Sequence, residues 1–203
     1  MAFNMSIENA IRWSDESANL IGGLEFTNVD NRIKVSSSLL DLSIEHNRGI
    51  IILINSATAD AAAFALLRPQ IDAFLRGVWY GRCATGEKIE SFVSRKDDPP
   101  KNHILISAIQ QLPDFKNGDL KKSIDEIKSH LNDYTHGGTT QMKARFSNGE
   151  IGSSFTPEHR EWLVNTSSCY LLLAGVALAA LAKNDILVHN LGTAYHELYP
   201  SIP

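Results

Sequence analysis

Apolar residues recur along this chain at intervals of three and four, the period of a helix with one buried face, and polar residues fill the positions between them. Ile7, Ala10, Ile11, Ala18, Leu20 and Ile21 form a first stripe. Ser6 is placed to cap that helix, Glu8 falls in its first turn, and Gly22-Gly23 supplies the stop. A second stripe runs from Asn28 through Ile33, Leu39, Leu40, Ile44 and the run Ile50 to Ile54, interrupted only by Gly49; its length favours helix over strand. The third stripe opens at Asp60, with Leu67, Ile71, Phe74, Leu75, Val78 and Trp79 at packed-face spacing. Pro69 inside it removes a backbone donor and is expected to bend the axis between Ala65 and Pro69.

Shorter helices are predicted over 86–93 and 102–112, separated by an exposed loop at Asp97-Asp98-Pro99-Pro100 and closed by Pro113. From Asp119 to Tyr134, Leu120, Ile124, Ile127, Leu131 and Tyr134 repeat at helical spacing before Gly137-Gly138. Thr139 to Phe155 alternates loosely around Asn148-Gly149, a favoured hairpin turn, so a short β-hairpin near 140–155 is the one place strand is expected. Thr156 and Pro157 then cap and start a long helix through Leu181, and a last helix runs from Asp185 to Leu198. These elements predict an all-α helical bundle forming a single domain over 1–203, without repeats.

Composition narrows the class. At 203 residues, 43% hydrophobic and 21% charged, the chain can bury one sizeable core. The first ten residues lack the pattern of a secretory signal. The charge-free run Tyr170 to Ala182 is shorter than the roughly 20 residues that span a bilayer. A cytoplasmic protein without a membrane segment is the resulting expectation. Cys83 and Cys169 lie in helical patterns without ligand spacing, which rules out a cysteine-built zinc site. A net charge of −4 argues against broad attraction to nucleic acid, leaving a local patch at 116–145 with six basic residues against four acidic ones.

Two polar constellations could carry chemistry. Asn132 and His136 are four apart on one helix and His130 and Asp133 are three apart, so each pair can meet. A histidine in the last helical turn feels the negative end of the helix dipole, which suits a general acid; the competing reading is a cap that bonds the last carbonyls. Arg68, Asp72, Arg76 and Tyr80 recur every four residues on the third helix, either as an ion-pair ladder or as an anion site in which an arginine fork grips phosphate. No cofactor is expected, since phosphate-binding glycine loops, nucleophile elbows and dinucleotide fingerprints are absent. No metal is expected either, because His130 and His136 do not share a helix face, and His189 and His196, seven apart, would need ligands from elsewhere.

The segment Leu66-Leu67-Arg68-Pro69-Gln70-Ile71-Asp72-Ala73-Phe74-Leu75-Arg76-Gly77, followed later by Asn132-Asp133-Tyr134-Thr135-His136-Gly137-Gly138, resembles uncharacterised bacterial families of HEPN-like helical bundles over roughly residues 30–185. The resemblance implies an all-helical protein, often a homodimer, and in toxin, antiphage and RNA-processing relatives a metal-independent ribonuclease with an Arg-x(4-6)-His motif. His136 matches the histidine of that motif. His130 stands six residues earlier, where the arginine would be, so the arginine has to come from another helix. RNA cleavage needs proton transfer at the 2′-hydroxyl and the leaving 5′-oxygen, with positive charge on the phosphate. The residues expected to supply these are His136 and His130 for protons and Arg68 or Arg76 for phosphate, with Asn132, Asp133, Tyr134, Asp72 and Tyr80 contacting an RNA or nucleotide. The alternative is a non-enzymatic interaction module, an immunity or regulatory partner that presents Trp79, Tyr80 and Trp162 to another protein.

Overall fold

The long second stripe folds as one uninterrupted helix, and its buried side explains why. In the computed structural model, which describes residues 2–56, 58–147 and 150–200, the second helix α2 (Asn31–Asn55) follows α1 (Ala2–Ile21) and turns back into α3 (Asp60–Arg82). The face of α2 turned to the core reads Ser36, Leu40, Ser43, Asn47, Ile50 and Ile54, alternating steps of four and three that keep one seam against an antiparallel neighbour. Two seam serines, seven apart, donate to main-chain oxygens of α3: Ser36 Oγ to Gly77 O at 2.7 Å and Ser43 Oγ to Gln70 O at 2.9 Å. Gly77 permits that approach, because a Cβ there would stand 2.7 Å from Leu40 Cγ. Gly49 is tolerated within α2 for a similar reason; a Cβ at this position would press on Leu66 at 3.1 Å. The helix α3 is continuous across Pro69.

After α3 come α4 (Gly86–Val93), α5 (Asn102–Ile109), a 3-10 turn at Pro113–Phe115, α6 (Asp119–His136), α7 (Thr139–Lys143), α8 (Pro157–Leu181) and α9 (Asp185–Leu198). The described residues thus form nine α-helices in an all-α bundle. Between α7 and α8, β1 (Phe146–Ser147) pairs antiparallel with β2 (Glu150–Ile151), with Phe146 opposite Ile151. This pair is the short β-hairpin expected in that stretch; Asn148-Gly149, expected to be its turn, lies outside the described residues. The short helix α7 was not legible in the alternating pattern.

Several boundaries moved for identifiable reasons. Ser6 does not cap α1: the helix begins at Ala2, and the Ser6 hydroxyl donates across the fold to Glu161 at 3.0 Å. Asp30 caps α2, its carboxylate accepting from the Ile33 N–H at 2.8 Å, so the helix starts three residues after Asn28. Thr156 caps α8 as the sequence suggests, in a reciprocal box with His159.

The centre of the bundle is α8, which packs on α1, α2, α3 and α9. By length and composition it is the one described helix that could cross a membrane, and 56% of its most apolar stretch is buried within this fold. A polar layer fixes its register. Asn47 Nδ2 donates to Ser167 Oγ at 2.8 Å, Ser167 Oγ to Gln70 Oε1 at 2.7 Å, and Gln70 Nε2 to Ser167 O at 2.9 Å, joining α2, α3 and α8 where water is excluded. At the start of α3 the Asp60 carboxylate, 1% exposed, accepts from Arg160 Nη2 at 2.6 Å and Ser153 Oγ at 2.9 Å, which ties down the chain entering α8.

Candidate functional site

An aromatic contact determines where the polar end of α6 lies. Phe64 of α3 packs on Tyr134 of α6, with ring centroids 4.7 Å apart, and stacks on Phe155 at 4.4 Å. One helical turn beyond Phe64 stands Arg68, and at the level of Tyr134, two residues before and after it, Asn132 and His136 share the more exposed side of α6. The packing therefore brings these three together. Arg68 Nη1 donates to Asn132 Oδ1 at 2.6 Å and lies 3.1 Å from His136 Nε2. A guanidinium can only donate, so His136 presents a lone pair on Nε2 and carries its ring proton on Nδ1. The Arg68 side chain is 31% exposed, and Asn132 and His136 are exposed as well, so the cluster faces solvent.

Behind the guanidinium, Asp72 Oδ2 lies 3.8 Å from Arg68 Nε, and Asp72 Oδ1 accepts from Asn102 Nδ2 at 2.5 Å. Asn102, the first residue of α5, thereby orients the carboxylate that steadies Arg68. Sequence reading gave Asn102 only the role of a helix start, because a partner thirty positions away leaves no local signal. The Nη2 of Arg68 has no hydrogen-bond acceptor among the described residues.

The turn after His136 is held by Asp133. Gly137 sits in the left-handed region at φ 68° and closes α6, which is the role the capping reading gave to His136. The Asp133 carboxylate accepts from the Thr140 N–H at 3.1 Å and the Thr140 hydroxyl at 2.6 Å, satisfying the first turn of α7. Those two bonds hold its carboxyl below the usual carboxylate range, and the charge of His130 acts in the same direction. A Cβ on Gly138 would collide with the Asp133 side chain and come 2.8 Å from its Cα, so the second glycine of the pair is needed for clearance. Asp133 thus holds the α6–α7 turn through Oδ2.

Other expected site residues lie elsewhere. His130 is exposed on α6, stacked over the Tyr134 ring at 6.3 Å. Six helical positions separate it from His136, about 9 Å of rise and 120° of rotation, so the two histidines do not converge. Arg76 lies two turns beyond Arg68, about 12 Å along α3; its Nε is buried without a hydrogen-bond partner, and it forms no ion pair with Asp72 among the described residues. The ladder is therefore reduced to the single Arg68–Asp72 pair. Tyr134 and Tyr80 are 6% and 2% exposed, which makes both part of the core rather than a binding surface. Burial raises the Tyr134 phenol, with Asp133 adding to the shift. Burial likewise raises that of Tyr80, with Arg76 opposing and Asp97 adding. Among the described residues no three His, Cys, Asp or Glu side chains gather where they could hold a metal ion.

A family comparison covers all of this geometry. The chain belongs to the family of unknown function DUF6988. The match spans residues 40–203, from the middle of α2 to the end of the chain, and includes Arg68, Asp72, Asn102, Asn132 and His136. No curated protein and no solved structure matches the chain.

Proposed function

We propose that this DUF6988 protein is a HEPN-like bundle that binds RNA at the Arg68–Asn132–His136 cluster and cleaves it without a metal ion. The observation carrying the reading is the 3.1 Å contact between Arg68 and His136 Nε2, which supplies from α3 the arginine that α6 lacks. An incoming phosphate would take the place of this contact: Arg68 would direct Nη1 and the unpartnered Nη2 at two nonbridging oxygens. Asn132 would offer its amide N–H groups to the same phosphate.

With the phosphate seated, His136 Nε2 is free to accept the proton of the neighbouring 2′-hydroxyl as that oxygen attacks phosphorus. The bond from phosphorus to the 5′-oxygen breaks, the leaving oxygen takes a proton from water, and the upstream fragment ends in a 2′,3′-cyclic phosphate. Charge building on the nonbridging oxygens is met by Arg68, held in place by Asp72 and Asn102. Lys128 on α6, Lys143 at the end of α7 and Arg145 just beyond it are exposed cations that would offer further phosphate contacts. The bacterial setting, a toxin or defence role and a homodimeric state rest on the HEPN resemblance.

Because His130 is turned away, the site holds one proton carrier, and this favours a second reading in which RNA or a nucleotide is bound without being cut. The interaction-module alternative loses two of its aromatic anchors, since Trp79 and Tyr80 are 8% and 2% exposed. A mixed RNA pool incubated with chelator and wild-type protein, His136→Ala, Arg68→Ala or His130→Ala tests the proposal. Cleavage is expected from wild type and His130→Ala and from neither of the others. Retention of RNA by a folded wild type that cuts nothing would establish the binding reading instead.

A further inference from the structure

At the opposite end of α6 from Arg68, the 3-10 turn, the first turns of α6 and the middle of α8 enclose a cavity of about 540 Å³. That volume falls within the range of small-molecule pockets. Phe115, Trp162 and Leu173 provide apolar walls large enough to hold a ring, and no lysine, arginine or histidine lines the cavity. Its charged groups are the carboxylates Asp114, Asp119 and Glu126. Asp114 is tied to Arg82 at 2.6 Å and Asp119 accepts from Asn117 at 2.5 Å, which leaves Glu126 as the carboxylate without a partner among the described residues.

Asn165, on the α8 wall, has its Oδ1 shut off from solvent and paired with nothing. Leaving a buried carbonyl unpaired is costly, so Asn165 Oδ1 calls for a donor that the described residues do not supply. Rotated half a turn about χ2, the Asn165 amide would offer that oxygen to the cavity, where a ligand N–H would pair with it. An apolar enclosure, an acceptor lacking a donor and an acidic rim together specify the chemistry of an occupant.

We infer that this cavity is a binding site for a small organic amine with an aromatic or aliphatic body, the body against Trp162 and Leu173 and the ammonium between Asn165 and Glu126. The inference does not depend on the RNA reading, since none of these residues belongs to the Arg68 cluster.

The test is calorimetric titration of the full-length protein with 2-phenylethylamine, phenylacetate and 2-phenylethanol, which share a ring and differ in the sign of charge. Saturable binding of the amine is expected, at least tenfold tighter than that of either other probe. Asn165→Leu and Glu126→Gln should each weaken it several-fold, and Leu173→Trp, which fills the cavity, should abolish it. Glu126 is exposed, so Glu126→Gln remains informative if Asn165→Leu fails to fold. Absence of saturable amine binding, equal binding of phenylacetate, or amine affinity unchanged in Glu126→Gln would each overturn the inference.

Discussion

Adding one methyl group at Gly77 should destabilise the protein, whereas the same addition at Gly192 should stabilise it. Both glycines lie inside helices, α3 and α9, where alanine is favoured over glycine by about 1 kcal/mol. At Gly192 a new Cβ meets nothing within 4 Å, so that gain should be realised in full. At Gly77 the new Cβ would stand 2.7 and 2.9 Å from the Leu40 side chain and 3.2 Å from the Leu40 backbone nitrogen, and the last of these cannot be relieved by a rotamer change. Overpacking of this kind costs about 1–3 kcal/mol. Separating the helices would also strain the 2.7 Å bond from Ser36 to Gly77 O, worth about 1 kcal/mol. After the propensity gain is subtracted, Gly77→Ala should lose about 1–3 kcal/mol. Urea denaturation followed by circular dichroism reads both variants directly. Gly77→Ala as stable as wild type would refute the close α2–α3 seam on which the placement of Arg68 rests.

Three further outcomes follow from the same contacts. Asp60→Ala should cost about 3 kcal/mol, because it strands the largely buried Arg160 and frees Ser153; a change in urea midpoint no larger than that of an exposed substitution such as Asp41→Ala would contradict it. Burial holds the His46 imidazole below its ordinary value of 6.5, with Glu45 opposing, so the unfolded chain binds the proton more readily. Its contribution to stability is therefore complete above pH 6.5 and declines as pH falls below that value, and His46→Gln should lose less stability than wild type between pH 7 and 5 in parallel melts. Gly138→Ala should push Asp133 off Thr140 and reduce the RNA cleavage proposed for His136 without unfolding the bundle, which hydrogen exchange of the α7 amides would reveal.

Helix ends could be read from the sequence wherever their signals were local. Gly86–Val93 and Asp185–Leu198 stand where expected because Thr85 and Asn184 cap them from the adjacent position. The start of α1 could not be read, since Ser6 spends its hydroxyl on Glu161, 155 residues away. In the site, the Asn132 and His136 pair followed from their spacing, and Tyr134 belonged to the apolar stripe with Leu131 and Ile127 that marked it as core. The same arithmetic separates His130 from His136. What spacing could not decide was whether Arg68 or Arg76 would meet the histidine, because that depends on which turn of α3 lies under α6. The Phe64–Tyr134 contact makes that choice.

The most direct test of the site uses a DNA oligonucleotide carrying a single ribonucleotide, incubated with the protein and a chelator, with the product ends identified by mass spectrometry. The 2′-hydroxyl chemistry proposed for His136 predicts one cut, immediately 3′ of the ribose, leaving a 2′,3′-cyclic phosphate, and no cut when that ribose is replaced by deoxyribose. Cleavage of the all-deoxy strand, cleavage surviving in His136→Ala, or no cleavage at the ribose would contradict it.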